Sequence, residues 1–327
     1  MAPRHKVAVL GGGMWGCVLA QQLANKDAKV TLWEFMPQIA LSLEKTRRHA
    51  QIPGFRLDGS IKVTNDVAVA VKDVDVLLFV LPSRALAATA RNIRGLNLKK
   101  TAVAVNASKG VEALTLATMG DIIAREIPSL RGKVWTLTGP SFAREVARGV
   151  PTGLLLGGPS GARAKSLASL FNGGALMVRP WPDRAGVELG GSLKNAIAIG
   201  AGILDGLGTG ANTKAALLVQ GLAEMSSLIR ARGGRADTIY GLAGLGDLIA
   251  TGTSPESRNR AFGEKLGKGL APKAALALIP TVVEGIEAAA SARELCARLK
   301  VKAPLLEAIW KATRGVPAKG VLKALGF

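Results

Sequence analysis

Histidine, cysteine and tyrosine are nearly absent from this 327-residue chain, which has two, two and one of them. His5 leads the chain and His49 lies in a basic cluster, so a His/Cys metal centre is excluded. Cys17 and Cys296 build neither a disulfide framework nor a four-ligand zinc site. Long apolar runs are missing too. Val76–Leu81 is the longest, far below the ~20 residues of a membrane-spanning helix. Met1–Lys6 carries the charge of a secretory leader, but Val7–Leu10 gives too short an apolar stretch to follow it. The cytoplasm is the expected compartment, with no membrane insertion.

Acidic residues are also scarce. Lys and Arg number 43 against 23 Asp and Glu, a net charge of +20. Aromatics make up only 4%, and the basic residues form no long block, which disfavours base stacking on a nucleic acid. The expectation is a basic surface serving small anionic ligands, without a nucleic acid partner. A basic nucleic-acid-binding protein remains a remote alternative. Hydrophobic residues at 48% against 20% charged supply an ordinary core and exclude a disordered chain.

Apolar strand-like runs alternate with helical patterns through the first half: Lys6–Leu10, Val30–Trp33, Ile61–Thr64, Val76–Leu81, Ala102–Ala107, Val134–Leu137, then Leu154–Leu156 and Leu176–Val178. This order predicts an α/β domain with a mostly parallel sheet. The early runs end in Gly11-Gly12-Gly13, Pro82-Ser83, Ser108-Lys109-Gly110 and Gly139-Pro140-Ser141. In an open sheet of this kind, ligands bind at those carboxyl ends. Beyond Trp181-Pro182 the spacing becomes helical, through Leu189, Leu193, Ile197 and Leu204. The expected boundary separates residues 1–185, a Rossmann-like dinucleotide-binding domain, from 186–327, an all-α substrate and catalytic domain.

Gly11-Gly-Gly13-Met14-Trp15-Gly16 follows a strand and opens a helix. Glycines there permit a tight turn and a close backbone approach to pyrophosphate, while the helix N-terminus favours the negative charge. Glu34 closes the second strand, where a carboxylate accepts from both adenosine ribose hydroxyls and repels a 2′-phosphate. That predicts NAD in preference to NADP, with Arg47 and Arg48 close enough to soften the choice and leave NADP possible. A solvated strand-end carboxylate is the plainer reading of Glu34.

Reducing a carbonyl needs a proton donor beside its oxygen. Both histidines precede the third strand-like run, and Tyr240 has Gly244 where a tyrosine-based reductase would have lysine, so a lysine is left. Lys194, in Glu188-Leu-Gly-Gly-Ser-Leu-Lys-Asn195, has Gly190, Gly191, Ala198 and Ala201 at helical spacing. Those small residues leave room for substrate and partly strip water from the ammonium, which favours release of its proton. A surface lysine lying over apolar neighbours is the alternative. Lys109, at a strand end, adds a second positive charge for an anionic substrate. Asp247, after Gly241–Gly246, either tunes Lys194 or caps a helix. Ser254-Pro255 reads as a helix start, and with Ser257, Arg258 and Asn259 it makes a phosphate site or an ordinary capped helix.

Together these blocks resemble the NAD(P)-dependent glycerol-3-phosphate dehydrogenases. The likeness runs through Gly11–Gly16, Ser108–Glu112, Leu137–Val146, Glu188–Asn195 continuing to Gly206–Gly208 and Asn212, Gly241–Asp247, Ser257–Arg260 and Val283–Gly285. The resemblance implies interconversion of dihydroxyacetone phosphate and sn-glycerol 3-phosphate, supplying glycerol phosphate for phospholipid synthesis. It implies Lys194 as proton donor and acceptor. It puts Lys109, Gly139, Ser141, Asp247, Ser257, Arg258 and Asn259 at the substrate, with Asn195 and Thr251 in the surrounding polar network. Met14, Trp15, Lys109, Ala143, Arg258, Val282 and Glu284 fall at cofactor positions, and a homodimer is implied. Two departures stand out: Met14 replaces a small polar residue, and Glu34-Phe35-Met36 stands where many relatives carry a basic residue. The rival within this two-domain plan is a 3-hydroxyacid or ketopantoate-type reductase, whose substrates carry carboxylates.

Overall fold

A computed structural model describes residues 5–112, 114–279 and 282–327. Of the basic stretch Met1–Lys6, residues 1–4 lie outside this set. The chain divides into two compact units, Met1–Lys109 with Met119–Arg184, and Gly110–Thr118 with Ala185–Phe327.

Among the described residues, unit 1 holds eight strands: β1 Lys6–Leu10, β2 Lys29–Trp33, β3 Lys62–Thr64, β4 Val76–Phe79, β5 Val103–Asn106, β6 Val134–Thr138, β7 Thr152–Gly157 and β8 Leu176–Trp181. Its helices are α1 Met14–Ala24, α2 Pro37–Thr46, α3 Val67–Val71, α4 Ser83–Arg94, α5 Met119–Glu126, α6 Ala143–Ala147 and α7 Ala162–Phe171. The sheet order is β3-β2-β1-β4-β5-β6-β7-β8, parallel except between β6 and β7. Val9 lies beside Leu32 on one flank and Leu78 on the other. Near-continuous apolar strands such as Val76–Phe79 are buried along their whole length, as a sheet covered on both faces requires. The strand order reverses between β1 and β4, the switch point where such sheets bind ligands.

Unit 2 is helical: α8 Arg184–Gly206, α9 Gly210–Ala231, α10 Asp247–Thr253, α11 Arg258–Gly267, α12 Pro272–Ala277, α13 Glu284–Leu299, α14 Pro304–Thr313 and α15 Gly320–Ala324. Buried residues of α8 run without a break from Gly186 to Leu204, so it is the axis of this unit. A helix interior tolerates glycine at a cost of roughly 0.5–1 kcal/mol each, and α8 and α11 show the reason here. A Cβ on Gly202 would stand 1.9 Å from the Arg260 carbonyl oxygen, and one on Gly263 1.9 Å from that of Ile199. Backbone packs directly on backbone. That approach fixes the first half of α11 against the C-terminal third of α8.

Residues 110–118 fall between two segments of unit 1 in chain order, yet they belong to unit 2. Leu116 enters the unit 2 core, 4% exposed, with φ of 57°. Such a backbone costs about 1–3 kcal/mol for a branched residue, and burying the leucine offsets it by a similar amount, about 1.5–3 kcal/mol. Buried Glu224 accepts the N–H groups of Leu305 and Leu306, both at 2.9 Å, at the first turn of α14. Its carboxyl lies above the ordinary range because burial outweighs those two hydrogen bonds and the one from Gln220.

Candidate active site

In unit 1 the glycine loop is closed by backbone, as its motif requires. Gly11 has φ of 121°, and a Cβ there would stand 2.2 Å from the Val80 carbonyl oxygen at the end of β4. A Cβ on Gly16 would stand 1.9 Å from the Gly11 oxygen, whereas Gly13 has open space around it. Met14 and Trp15, both half-buried, open α1, which has no capping side chain and no acid in its first turn. The N-terminal N–H groups of this helix therefore suit a pyrophosphate.

Glu34 follows β2 and grips this loop. Its Oε2 accepts the Gly12 N–H at 3.0 Å, and its Oε1 accepts the Met36 N–H at 2.9 Å. Beneath them the Cys17 thiol donates to the Gly12 carbonyl. Burial, then the charge of Glu34, pushes that thiol up to about 12, which makes it an inert packing group. Arg47 donates to the Ile61 carbonyl at 2.6 Å, so one of its amino groups is engaged by backbone. Further along the sheet edge, Gly139 has φ of 149° and accepts the Ser141 hydroxyl at 3.0 Å. Ser141, Ala143 and Lys109 are half-buried.

In unit 2 Lys194 is buried at mid-α8 and is the one buried cation among the described residues. Its Nζ donates to Asp247 Oδ1 at 2.8 Å and to the Thr251 hydroxyl. Thr251 in turn donates to Asp247 Oδ1 at 3.2 Å. Asp247 opens α10 after a wide π-type turn over Leu242–Gly246, and Thr251 stands one turn further on. The i, i+4 spacing puts both side chains on one face. One turn of α8 is fitted to that wide turn at Gly190, where a Cβ would stand 2.9 Å from the Ala243 oxygen.

A second polar group lies beside Lys194 in sequence. Asn195 Oδ1 accepts Asn259 Nδ2 at 2.9 Å, and Asn259 Oδ1 accepts the Gly285 N–H at 2.9 Å. Gly285 is a member of this network that reasoning from sequence misses as a site residue. Its place in Val283–Gly285 is the available signal, and the reason for it is space, since a Cβ would stand 2.5 Å from the Asn195 carbonyl oxygen.

The helix start expected at Ser254-Pro255 is corrected. Proline forces the residue before it into extended backbone, so Ser254, with ψ of 136°, ends α10. The next helix, α11, begins at Arg258, with Ser257 as its N-cap accepting the Arg260 N–H at 3.2 Å. Arg258 is exposed, Asn259 and Ser257 are buried, Glu284 opens α13, and Val282 is half exposed just before it. Thus Lys194, Asp247 and Thr251 come together, as do Asn195 and Asn259. The side chain of Ser257 instead serves its own helix.

Family models for the N-terminal and C-terminal parts of NAD-dependent glycerol-3-phosphate dehydrogenase match residues 6–163 and 183–319. The chain belongs to this family. A glycerol-3-phosphate dehydrogenase [NAD(P)+] of Citrifermentans bemidjiense is 41% identical over 309 residues, covering 94% of this chain and 92% of the relative. One from Moorella thermoacetica is 40% identical over 324 residues, with 98% and 96% covered. The crystal structure of the Coxiella burnetii glycerol-3-phosphate dehydrogenase superposes with a TM-score of 0.92 at 32% identity, covering 99% of both chains. The chain is an NAD(P)-dependent oxidoreductase that interconverts dihydroxyacetone phosphate and sn-glycerol 3-phosphate. Its substrate is a small phosphorylated molecule, which sets aside the 3-hydroxyacid or ketopantoate-type reductase reading. Among the described residues no helix is long and apolar enough to cross a membrane.

Proposed function

We propose that Lys194 protonates the carbonyl oxygen of dihydroxyacetone phosphate in reduction and takes the proton back in oxidation. The observation that carries this is the burial of its ammonium between Asp247 and Thr251. A buried cation is retained only where partners hold it. Asp247 fixes the position of Nζ by charge and Thr251 by hydrogen bond, so the ammonium meets the substrate in one geometry. The bound nicotinamide supplies the hydride.

Asn195, Asn259, Ser257 and Arg258 take the phosphate and the polar end of the substrate, Arg258 through its guanidinium fork. Lys109, Gly139 and Ser141 also bind the substrate. Gly11, Gly13, Gly16, Met14 and Trp15 hold the pyrophosphate. Ala143, Lys109, Arg258, Val282 and Glu284 make further cofactor contacts.

Glu34 sets a preference for NAD. Each of its oxygens accepts one backbone N–H, which leaves lone pairs for the two ribose hydroxyls and a fixed negative charge against a 2′-phosphate. The Arg47 amino group held by Ile61 weakens the case for a phosphate clamp at the same place. NADH oxidation at 340 nm with dihydroxyacetone phosphate tests the reading when it is repeated with NADPH and with unphosphorylated dihydroxyacetone. NADH is expected to give the higher kcat/KM, and removal of the phosphate to abolish most turnover. Equal efficiency with both cofactors would remove Glu34 from the selection. The enzyme is further proposed to be cytoplasmic, in keeping with two free cysteines, and homodimeric. Sedimentation equilibrium tests the second point.

A further inference from the structure

The chain leaves the sheet-bearing unit after Lys109, makes a nine-residue excursion, and returns at Met119. Both ends of that excursion are tied to one face of α8. The Gly110 N–H donates to Ser192 Oγ at 2.9 Å, and the Thr118 hydroxyl donates to Glu188 Oε2 at 2.5 Å. Glu188 and Ser192 are one helical turn apart and both are buried. Val111 and Thr118 form an antiparallel bridge, and the Val111 carbonyl accepts the Ser291 hydroxyl from α13 at 3.1 Å. The excursion is therefore a fixed strap, with its entry and exit held against the helix that carries Lys194.

The peptide group that Ser192 grips is the one joining Lys109 to Gly110. Gly110 has φ of 147°, a conformation closed to other L-residues, so this peptide plane is set by glycine on one side and by the serine hydroxyl on the other. Ser192 stands two residues before Lys194, yet nothing in the proposed proton transfer uses it.

We propose that Ser192 is a positioning residue for substrate binding. By holding the Gly110 N–H it fixes the backbone from which the Lys109 side chain departs. Glu188 secures the far end of the strap in the same way. This inference rests on the proposed contact of Lys109 with substrate. Loss of one such buried neutral hydrogen bond corresponds to a change of about three- to tenfold.

A double-mutant cycle in the full-length enzyme tests it. Ser192→Ala is expected to raise KM for dihydroxyacetone phosphate about three- to tenfold, with kcat and the NADH dissociation constant nearly unchanged. Ser192→Thr, which keeps the hydroxyl, restores KM. In a Lys109→Ala background the Ser192→Ala change is expected to have little further effect, because its route to the substrate is gone. Additive effects of the two substitutions would overturn the proposal, as would an unchanged KM in Ser192→Ala. If Lys109→Ala itself leaves KM unchanged, the assignment of Lys109 fails. A Ser192→Ala effect that persists in that background then overturns the route through Lys109. Protection of the Gly110 amide from hydrogen exchange, lowered in Ser192→Ala but not in Lys109→Ala, separates loss of the tether from loss of the lysine.

Discussion

Glycine is used in opposite ways in the two units. Among the crowded glycines of unit 1, Gly11 and Gly16 belong to one strand–loop–helix turn: Gly16 is closed by the Gly11 carbonyl within it and Gly11 by the Val80 carbonyl just after β4. In unit 2, Gly202 and Gly206 on α8 meet Gly263 and Gly267 on α11, and each excludes a Cβ through the other helix. Six consecutive residues announce the first arrangement, because the turn itself demands glycine. The second exists only as a pair, and neither half has a meaning of its own in the sequence. Charge divides unevenly as well. The residues of unit 1 include 25 Lys and Arg against 11 Asp and Glu, those of unit 2 only 18 against 12. The surplus falls chiefly on the unit with the glycine loop.

If proton transfer belongs to unit 2 and pyrophosphate holding to unit 1, Lys194→Met separates them most sharply. It is expected to lower kcat by about 10²–10⁴-fold, the range for a lost acid–base group, while NADH affinity stays close to that of the parent. Steady-state kinetics and fluorescence titration read the two quantities. A weakened NADH complex with preserved turnover would break the division.

Stability is the next contrast. Gly263→Ala forces a Cβ against the Ile199 carbonyl oxygen and is expected to cost about 1–3 kcal/mol or more in denaturant unfolding. Gly13→Ala, with nothing within 4 Å, should leave stability nearly unchanged and report instead on NADH binding. Equal loss of stability in both would refute the distinction between paired and local glycines.

A smaller effect follows from two acids whose shifts have opposite signs. Burial holds Glu224 in unit 2 above the ordinary carboxylate range. Between the unfolded and the raised folded value the folded state binds more protons, so its contribution to stability falls as pH rises. Asp75 in unit 1 is the reverse. Burial works to raise it, but the Lys6 N–H and the Lys99 ammonium, 2.8 Å away, hold it below the ordinary value. Its contribution is present above the unfolded value and is lost as pH falls through the folded one. Thermal unfolding should therefore show Glu224→Gln gaining on the parent as pH rises above about 4, and Asp75→Asn losing on it as pH rises from about 2 to about 4, with a constant deficit above. Parallel curves would contradict both assignments.

The smallest change expected is at Thr138, whose buried hydroxyl has no hydrogen-bond partner among the described residues. Thr138→Val should be neutral or stabilising, by no more than about 1 kcal/mol. A clear loss of stability in urea unfolding would show that the hydroxyl is satisfied after all.

The sheet was legible because most strands centre on a short apolar run bounded by turn residues. All eight strands lie where those runs fall, and β1 has the expected bounds. Glu34 was legible as a position, whereas its hold on Gly12 was not, since nothing in the string indicates which N–H a carboxylate will meet. Ser254-Pro255 misled because serine followed by proline marks a helix start and a helix end alike. The choice depended on whether residues 247–253 were already helical. The strap was illegible for a different reason. Residues 110–118 follow a strand in the chain, and they join unit 2 through tertiary partners, the Leu116 site in the helical core and the hydrogen bonds with Glu188, Ser192 and Ser291.

By itself the sequence determined the alternation of strands and helices, the glycine loop at the first strand end, and the helical character of the second half. All of these are set within a few residues by steric permission and apolar period. Only the tertiary structure decided that Lys194 loses its water between Asp247 and Thr251, 53 and 57 residues away, and that Ser192 holds Gly110. Those partners are chosen by which helices can approach closely enough to pack, and that approach is a property of pairs of surfaces.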